Sequence, residues 1–327
     1  MATATAQPLG NKPGFTNSGA KRFSHRLRGG DEIAWLITFL FALSVLAITA
    51  LLVGELWFGS AGARHKFGFD FLTSKLWNPV TDEFGAAPFV YGTLVTSVVA
   101  LMISVPIGVG AAIYLSELAT GKWSDALTFL VELLAAVPSV IFGMLAIFTI
   151  VPMMRETIGP AIKTVLGWLP LFDGPVYGVG YLTASIVLSI MTFPYIISVS
   201  REALMAVPRE QREAALALGA TKWESTWQIV VPFARLGIMG SIFLAFARAL
   251  GETMAVTMVI GNDPAIHTSL FAPGHSIAAV IASSFAEASG PIYPSALIFL
   301  ALVLFFLTLL INGVARLMIL LTSEKRS

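Results

Sequence analysis

The chain has 327 residues, of which 56% are hydrophobic and only 12% are charged. Soluble domains hold about 45–50% apolar and about 25% charged residues, so this composition excludes an ordinary soluble enzyme and indicates lipid as the solvent for much of the chain. The net charge of +1 predicts no basic surface for nucleic acid. The sequence has no cysteine, which excludes disulfides, thiolate metal sites and a cysteine nucleophile.

The N-terminal region combines a polar tail with an apolar run. Residues 1–30 are rich in Gly, Pro, Asn, Ser and basic side chains, which predicts a disordered tail. An uncharged run from Ile33 to Val53 follows, and about 20 residues suffice for a helix to cross a hydrocarbon layer of about 30 Å. A signal peptide cleaved at residues 61–63 (Ala-Gly-Ala) is the competing interpretation. The run is longer than a signal core of roughly 7–15 residues, so we interpret it as a first membrane span.

Five more apolar runs follow, and the sequence therefore predicts six spans. The later five cover about residues 89–115, 126–153, 177–199, 236–261 and 292–318. Three of them contain a proline, namely Pro106, Pro138 and Pro194. Because neighbouring helices satisfy the carbonyl groups that a proline frees, these residues predict kinked helices in the interior of a bundle.

The basic residues are divided unequally between the two ends of the predicted bundle. Fourteen of the 20 Lys and Arg residues fall on the side of both termini, five fall on the other side, and Arg248 lies within a span. Because loops rich in Lys and Arg stay in the cytoplasm, the distribution predicts that both termini are cytoplasmic.

The loop between the fourth and fifth predicted spans indicates two short helices joined by a tight turn. Pro208 suits the first position of a helix, and Gly219 suits the left-handed residue that stops it. Thr221 and Glu224 form a capping box for the second helix, which Pro232 is expected to end.

Three functions are compatible with this hairpin. An amphipathic loop on the membrane surface is the simplest. A DNA-binding helix-turn-helix is disfavoured because the hairpin is tethered to the membrane at both ends and carries acidic residues. Docking of a cytoplasmic protein is favoured because the hairpin offers an apolar surface, with Ala214, Leu218, Trp223 and Trp227.

The fifth predicted span carries a charged pair. Arg248 falls near the bilayer midplane, where an arginine costs at least about 2.5–3.5 kcal/mol. Glu252 lies four residues on, on the same helical face, and Thr253 adds a hydroxyl. Two interpretations stay open: a salt bridge that fixes the span to its neighbours, or a guanidinium that binds an oxyanion in a translocation route while Glu252 keeps that binding weak.

Other polar residues are weaker candidates. Thr96 and Ser139 either line a route or let helices approach closely. Glu132, near the start of the third predicted span, is expected to make a structural hydrogen bond rather than to serve transport. His267 and His275 are too isolated for a metal site. Residues 276–288 predict a short helix, capped by Ser276, that either rests on the outer membrane face and meets a delivering protein or is a plain surface loop.

The hairpin resembles the EAA loop of bacterial ABC importer permeases, although Val231-Pro232 stands where that family has Leu-Pro. The resemblance implies an all-α polytopic membrane protein with six transmembrane helices and the type I, MetI-like permease fold. It also implies that the loop docks on an ATPase subunit through Glu213, Ala214, Ala215, Gly219, Ile229 and Pro232.

The fifth span resembles the permeases of the Pst phosphate importers, and residues 91–97, 132–139, 273–277 and 285–288 resemble the PstC member of that pair. The resemblance implies that Arg248 and Glu252 serve phosphate passage in the bacterial inner membrane. It implies a heterodimer with a PstA-like permease, two PstB-like ATPase subunits and a PstS-like phosphate-binding protein. Permeases for sulfate or molybdate, and a proton-coupled transporter that uses Glu132 or Glu252, are the alternatives.

The sequence contains no Gly-x-x-x-x-Gly-Lys-Ser/Thr run, so another chain is expected to hydrolyse ATP. The resemblance implies that this chain is a transport permease and not an enzyme. ATP and Mg²⁺ are expected on the partner ATPase, with no cofactor in this chain. The predicted domains are the cytoplasmic tail (1–30), the first transmembrane helix with an external loop (31–90), the permease domain (91–316) and a cytoplasmic C-terminal end (317–327).

Overall fold

A computed structural model describes residues 31–119 and 121–324, and the predicted tail, residues 1–30, lies outside them. Within the described part, six helices are long and apolar enough to cross a membrane by length and composition, which confirms the six predicted spans. We number them span 1 to span 6: Glu32–Gly59, Ala87–Leu118, Ser139–Leu166, Tyr181–Met205, Lys222–Leu250 and Ile292–Leu321.

Spans 2, 3 and 5 are each built from more than one helical element. The α-helices, in chain order, are α1 Asp31–Gly59, α2 Ala61–Phe67, α3 Asp70–Thr73, α4 Ala87–Ile113, α5 Lys122–Ala136, α6 Ser139–Leu145, α7 Val151–Met153, α8 Gly159–Leu166, α9 Tyr181–Met205, α10 Arg209–Ala217, α11 Lys222–Ser225, α12 Val231–Leu250, α13 Met254–Val259, α14 Ile277–Ser284 and α15 Ile292–Glu324. π-helical turns occupy Tyr114–Leu118, Ala146–Ile150, Met154–Ile158 and Thr226–Val230. A short 3₁₀ turn covers Pro170–Phe172, and strand β1 (Trp77–Asn78) pairs antiparallel with β2 (Glu83–Phe84).

Helix α1 is uninterrupted over 29 residues, and its most apolar window has a mean hydropathy of 2.7. The chain divides into two units between Glu55 and Leu56. In the second unit, the segment considered as a cleavage site forms the start of α2. Ala63 is fully buried there, and its N–H donates a hydrogen bond to Ser295 Oγ at 2.9 Å. Because this backbone is bonded inside the bundle, the geometry supports a retained first span.

Span 3 begins later than predicted. The expected helix over 126–153 is interrupted at Val137 and Pro138, which are both extended, and a new helix starts at Ser139. A proline forces the residue before it out of the helical region and supplies no N–H, so Pro138 starts a helix instead of kinking one. Glu132 consequently lies on α5, outside the span, with an exposed side chain. Its predicted place in span 3 is wrong.

Span 5 is also shifted. The helix predicted to end at Pro232 continues through it, because the π turn Thr226–Val230 precedes the proline and the Val231 N–H donates to the Thr226 carbonyl. At the other end the helix stops at Leu250, whereas the prediction extended it to residue 261. Residues 251–253 form a break before α13.

Span 4 is the centre of the bundle, since 67% of its most apolar window is buried. Its side chains Tyr181, Val187 and Met191 share a core with Val256 and Val259 of α13. At the other end of span 4, the Ser200 and Ser241 hydroxyl groups form a buried hydrogen bond of 2.7 Å to span 5. Pro106 and Pro194 lie inside helices, as predicted.

The connection from α13 to α14 folds back over the start of span 4. Gly274 packs on the Tyr181 ring so closely that a Cβ there would lie 2.1 Å from the ring carbon Cζ. Ser276 caps α14 as predicted, because its Oγ accepts a hydrogen bond from the Ala279 N–H. Ile277 and Val280 are buried in a second core, so the first half of α14 packs inside the bundle, whereas Ala282 and Ser283 in its second half are exposed.

Burial lowers the pKa of His275 to about 4 from an ordinary value of 6.5. The unfolded chain therefore binds a proton at His275 between about pH 6.5 and pH 4 that the folded chain does not bind. The stability that His275 contributes is complete above about pH 6.5 and falls as the pH drops through this window, by up to about 3 kcal/mol.

We expect the thermal midpoint of the purified protein to fall more steeply between pH 6.5 and pH 4.5 in the wild type than in His275→Gln. Thermal unfolding at a series of pH values measures the difference. His65 is exposed, so His65→Gln is the matched control and should keep the wild-type slope. Equal slopes in wild type and His275→Gln would contradict a buried neutral imidazole.

Candidate functional site

The break at the end of span 5 holds the predicted charged pair. Arg248 lies in the last turn of α12, where the partial negative charge of the helix end stabilises a cation. Its side chain is exposed, whereas Glu252 and Thr253, in the break itself, are half-buried.

The Arg248 guanidinium is held by an aromatic ring. Its Cζ atom lies 4.4 Å from the ring centroid of Tyr195, which belongs to span 4. Stacking occupies one face of the guanidinium and leaves the N–H groups at its edge able to donate hydrogen bonds.

Glu252 points to the next helix. Its carboxylate accepts a hydrogen bond from the Ala255 N–H at 3.4 Å, in the first turn of α13. Thr253 Oγ1 donates to the Gly251 carbonyl at 3.2 Å.

The salt bridge between Arg248 and Glu252, one of the two interpretations of the charged pair, is not formed. Among the described residues, the ion pairs are Arg212–Glu117 and His267–Asp263. The prediction relied on a continuous helix, in which residues four apart share a face, but the helix ends between these two residues. Arg248 therefore presents a positive charge that no carboxylate of the described chain neutralises. A planar cation with uncommitted edge donors can bind an oxyanion through two parallel hydrogen bonds.

The two hydroxyl candidates occupy different environments. Thr96 is buried and donates to the Gly92 carbonyl of its own helix at 2.8 Å. Ser139 is half-buried at the start of α6, which packs against α13 with Gly143 over Ala255. The structure thus brings the helix of Ser139, but not the hydroxyl of Thr96, into the neighbourhood of the break in its described conformation.

The hairpin between spans 4 and 5 has the predicted turn and cap. Helix α10 begins directly after Pro208, which is its cap residue, and Gly219 has φ = +87° in the turn that follows. The Thr221 side chain accepts from the Glu224 N–H, and the Glu224 carboxylate accepts from the Thr221 N–H. Each contact satisfies a backbone donor at the helix start, so the sequence pattern alone was sufficient here.

The hairpin exposes a mixed polar and apolar surface. Glu213, Ala214 and Gly219 are exposed, whereas Ala215 is buried and Ile229 and Pro232 are half-buried. Leu218 is 90% exposed, and the Trp223 and Trp227 rings, both exposed, meet edge to face at 5.5 Å. Large apolar side chains that remain uncovered in this way are typical of a protein-docking surface.

One functional residue was missed in the sequence. Arg212 donates two hydrogen bonds to the Glu117 carboxylate, from Nη2 at 2.8 Å and from Nε at 3.1 Å. It also donates to the carbonyl groups of Leu204 and Val207 at the end of span 4. We call this arrangement the Arg212–Glu117 brace. It connects the hairpin to the ends of spans 2 and 4, and its partners are 95 residues apart, so no local pattern could reveal it.

Comparison with known proteins defines the class. Residues 104–319 match the family described as binding-protein-dependent transport system inner membrane component. Two solved structures share the fold. The alginate ABC transporter in complex with its alginate pentasaccharide-bound periplasmic protein aligns over 90% of this chain and 98% of the solved chain, with a TM-score of 0.58 and 16% identity. The inward-facing MetNI methionine ABC transporter aligns over 72% and 94%, with a TM-score of 0.55 and 16% identity.

Curated relatives identify the family within this class of transport permeases. The phosphate transport system permease protein PstC of Mesorhizobium japonicum is 45% identical over 88% of this chain and 90% of its own length. The proteins of the same name from Xylella fastidiosa and Pasteurella multocida are 43% and 44% identical over 89% and 88% of this chain, and over 90% and 91% of their own lengths. The chain belongs to the PstC family of ABC importer permeases. It is a transport permease and not an enzyme, and the ATPase of such an importer is a separate subunit.

We expect the Arg212–Glu117 brace to stabilise the protein. The two side chains are only 21% and 11% exposed, so either Arg212→Gln or Glu117→Gln leaves a partly buried charge without its partner. Each single change should lower the free energy of unfolding by about 1–3 kcal/mol. The double variant should lose less than the sum of the two single losses, because the contact between Arg212 and Glu117 can be lost only once.

Thermal unfolding of the four proteins in detergent measures this cycle. Arg209→Gln is the matched control, because Arg209 is an exposed arginine on the same helix. Strictly additive losses would show that Arg212 and Glu117 act independently.

Proposed function

We propose that this chain is the permease through which an ATP-driven importer moves inorganic phosphate across the bacterial inner membrane. The names of the relatives support phosphate as the substrate. The observation that supports anion binding is the environment of Arg248: its guanidinium is stacked on Tyr195 and has no ion-pair partner among the described residues. A guanidinium is charged at every physiological pH, so it attracts phosphate in both its monoanionic and its dianionic form.

The broken helix has a role in this proposal. Glu252 binds the start of α13, so it lies close to Arg248 in sequence without occupying its donors. A phosphate that leaves Arg248 can be replaced by Glu252 if residues 251–253 rotate. Competition of this kind keeps the site weak enough to release its ion. Thr253 in the break, Ser139 at the start of α6 and Thr96 of span 2 supply hydroxyl groups to the route when the spans move and Thr253 and Thr96 release the carbonyl groups to which they now donate.

The importer has further subunits in this proposal. A second, PstA-like permease completes the route, two PstB-like subunits bind ATP and Mg²⁺ and hydrolyse the ATP, and a PstS-like protein delivers phosphate from outside. The hairpin and both termini lie in the cytoplasm, where the exposed Glu213, Ala214 and Gly219 contact an ATPase subunit. Closure of the ATPase pair moves the hairpin, and the Arg212–Glu117 brace passes that movement to spans 2 and 4.

Neither sulfate or molybdate import nor proton coupling has a supporting observation. The relatives are named for phosphate. Glu132, one of the two carboxylates considered for proton coupling, is exposed on α5 outside the spans, and Glu252 is occupied as a helix cap.

The test is ATP-driven phosphate uptake by the full complex in vesicles. Arg248→Gln removes the charge at similar length, and a charge-assisted hydrogen bond contributes about 1.5–3 kcal/mol, so uptake should fall about ten- to a hundredfold while ATP hydrolysis continues. Arg316→Gln is the matched control, because Arg316 is another exposed arginine in a span. Uptake by Arg248→Gln at the wild-type rate would contradict the proposal.

The Arg212–Glu117 brace allows a second test of the proposed function, which does not depend on Arg248. Arg212→Gln should lower the amount of phosphate transported per ATP hydrolysed, because the hairpin then moves without pulling spans 2 and 4. The ratio of the two rates, measured in the same vesicles with Arg209→Gln as control, tests this. An unchanged ratio would limit the brace to a structural role.

A further inference from the structure

An apolar groove with one arginine in its lining lies at the opposite end of the bundle from the hairpin. The groove, with a volume of about 580 Å³, opens between the end of span 1 with the segment that follows it and the stretch of span 6 from Phe299 to Leu310. Its lining is almost entirely apolar, and it includes Trp57, Phe69, Leu72, Phe299 and Leu307. Phe69 is 89% exposed, which water would disfavour and lipid would not.

Arg64 is the one charged residue of this lining. Its guanidinium lies 3.7 Å from the centroid of the Trp57 ring, and it donates to the Trp57 carbonyl and to Ser60 Oγ at 2.6 and 3.0 Å. These contacts fix the position of the cation. Within the described part of the chain, no carboxylate forms an ion pair with Arg64.

The length of the groove matches one leaflet of a bilayer. On span 6 its lining extends from Phe299 to Leu310. The eleven helical steps from Phe299 to Leu310 rise about 16 Å, and half of a hydrocarbon layer of about 30 Å is about 15 Å. The tryptophan and the arginine lie at the end of the groove where span 1 stops. Tryptophan and arginine side chains are typical of the level of the lipid headgroups.

We propose that this groove binds one anionic phospholipid. An acyl chain lies along the apolar side chains of span 6, and the phosphate of the headgroup accepts hydrogen bonds from Arg64. The stack on Trp57 covers one face of the guanidinium and leaves edge donors for a phosphate oxygen. A free phosphate ion does not fit this site, because nothing else in the lining replaces its hydration. The site is independent of the transport route at Arg248.

Photo-crosslinking tests the proposal. The full complex is placed in phosphatidylethanolamine vesicles that contain a small fraction of phosphatidylglycerol with a photoreactive group on its acyl chain, and labelled peptides are identified by mass spectrometry. We expect label in residues 57–72 and 299–310. Leu307→Trp fills the groove and should reduce this label about tenfold, whereas Leu309→Trp, at an exposed position outside the lining, should leave it unchanged.

The headgroup is tested separately. Arg64→Gln should reduce labelling by the phosphatidylglycerol probe about tenfold, and labelling by a phosphatidylcholine probe much less, because only the first lipid has a net negative charge. Excess inorganic phosphate should not compete with either probe. Label that is insensitive to Leu307→Trp would overturn the groove as a lipid site. Equal effects of Arg64→Gln on both probes, or competition by inorganic phosphate, would overturn the anionic headgroup.

Discussion

The requirement that every backbone donor and acceptor find a partner inside the bilayer governs this structure. Spans 1, 4 and 6 meet it with continuous helices, and span 5 meets it up to Leu250. Where the helix then breaks, a side chain supplies a missing partner, because Glu252 binds the Ala255 N–H. Because the Glu252 carboxylate binds this N–H, it does not form an ion pair with Arg248. The chemistry of the proposed phosphate site is therefore a consequence of how the chain satisfies its backbone.

The same principle connects the proposed phosphate site to the hairpin. Arg212 satisfies carbonyl groups at the end of span 4 and binds Glu117 at the end of span 2. Span 4 also carries Tyr195, on which Arg248 stacks. One continuous helix thus joins the hairpin to the ring on which the Arg248 guanidinium stacks. This route consists of packed helices and hydrogen bonds, and it needs no flexible segment.

Local features of the sequence were predictable where the physical cause is local. The Thr221–Glu224 capping box and the left-handed Gly219 were confirmed because each depends on neighbouring residues only. The number of spans was predictable because apolar length is a property of the segment itself. By contrast, whether a proline kinks or interrupts a helix depends on surrounding groups, so Pro194 lies within a helix while Pro138 begins one. The residue roles in phosphate passage and ATPase docking remain predictions from family resemblance.

The central claim is that the Arg248 guanidinium, and not the Arg248–Glu252 pair, is the phosphate-binding unit. A high-resolution structure of the full complex, trapped with phosphate in the membrane route, tests it most directly. The account predicts guanidinium nitrogens about 2.7–2.9 Å from phosphate oxygens, with Arg248 still stacked on Tyr195. A bidentate Arg248–Glu252 salt bridge with phosphate bound elsewhere would contradict it.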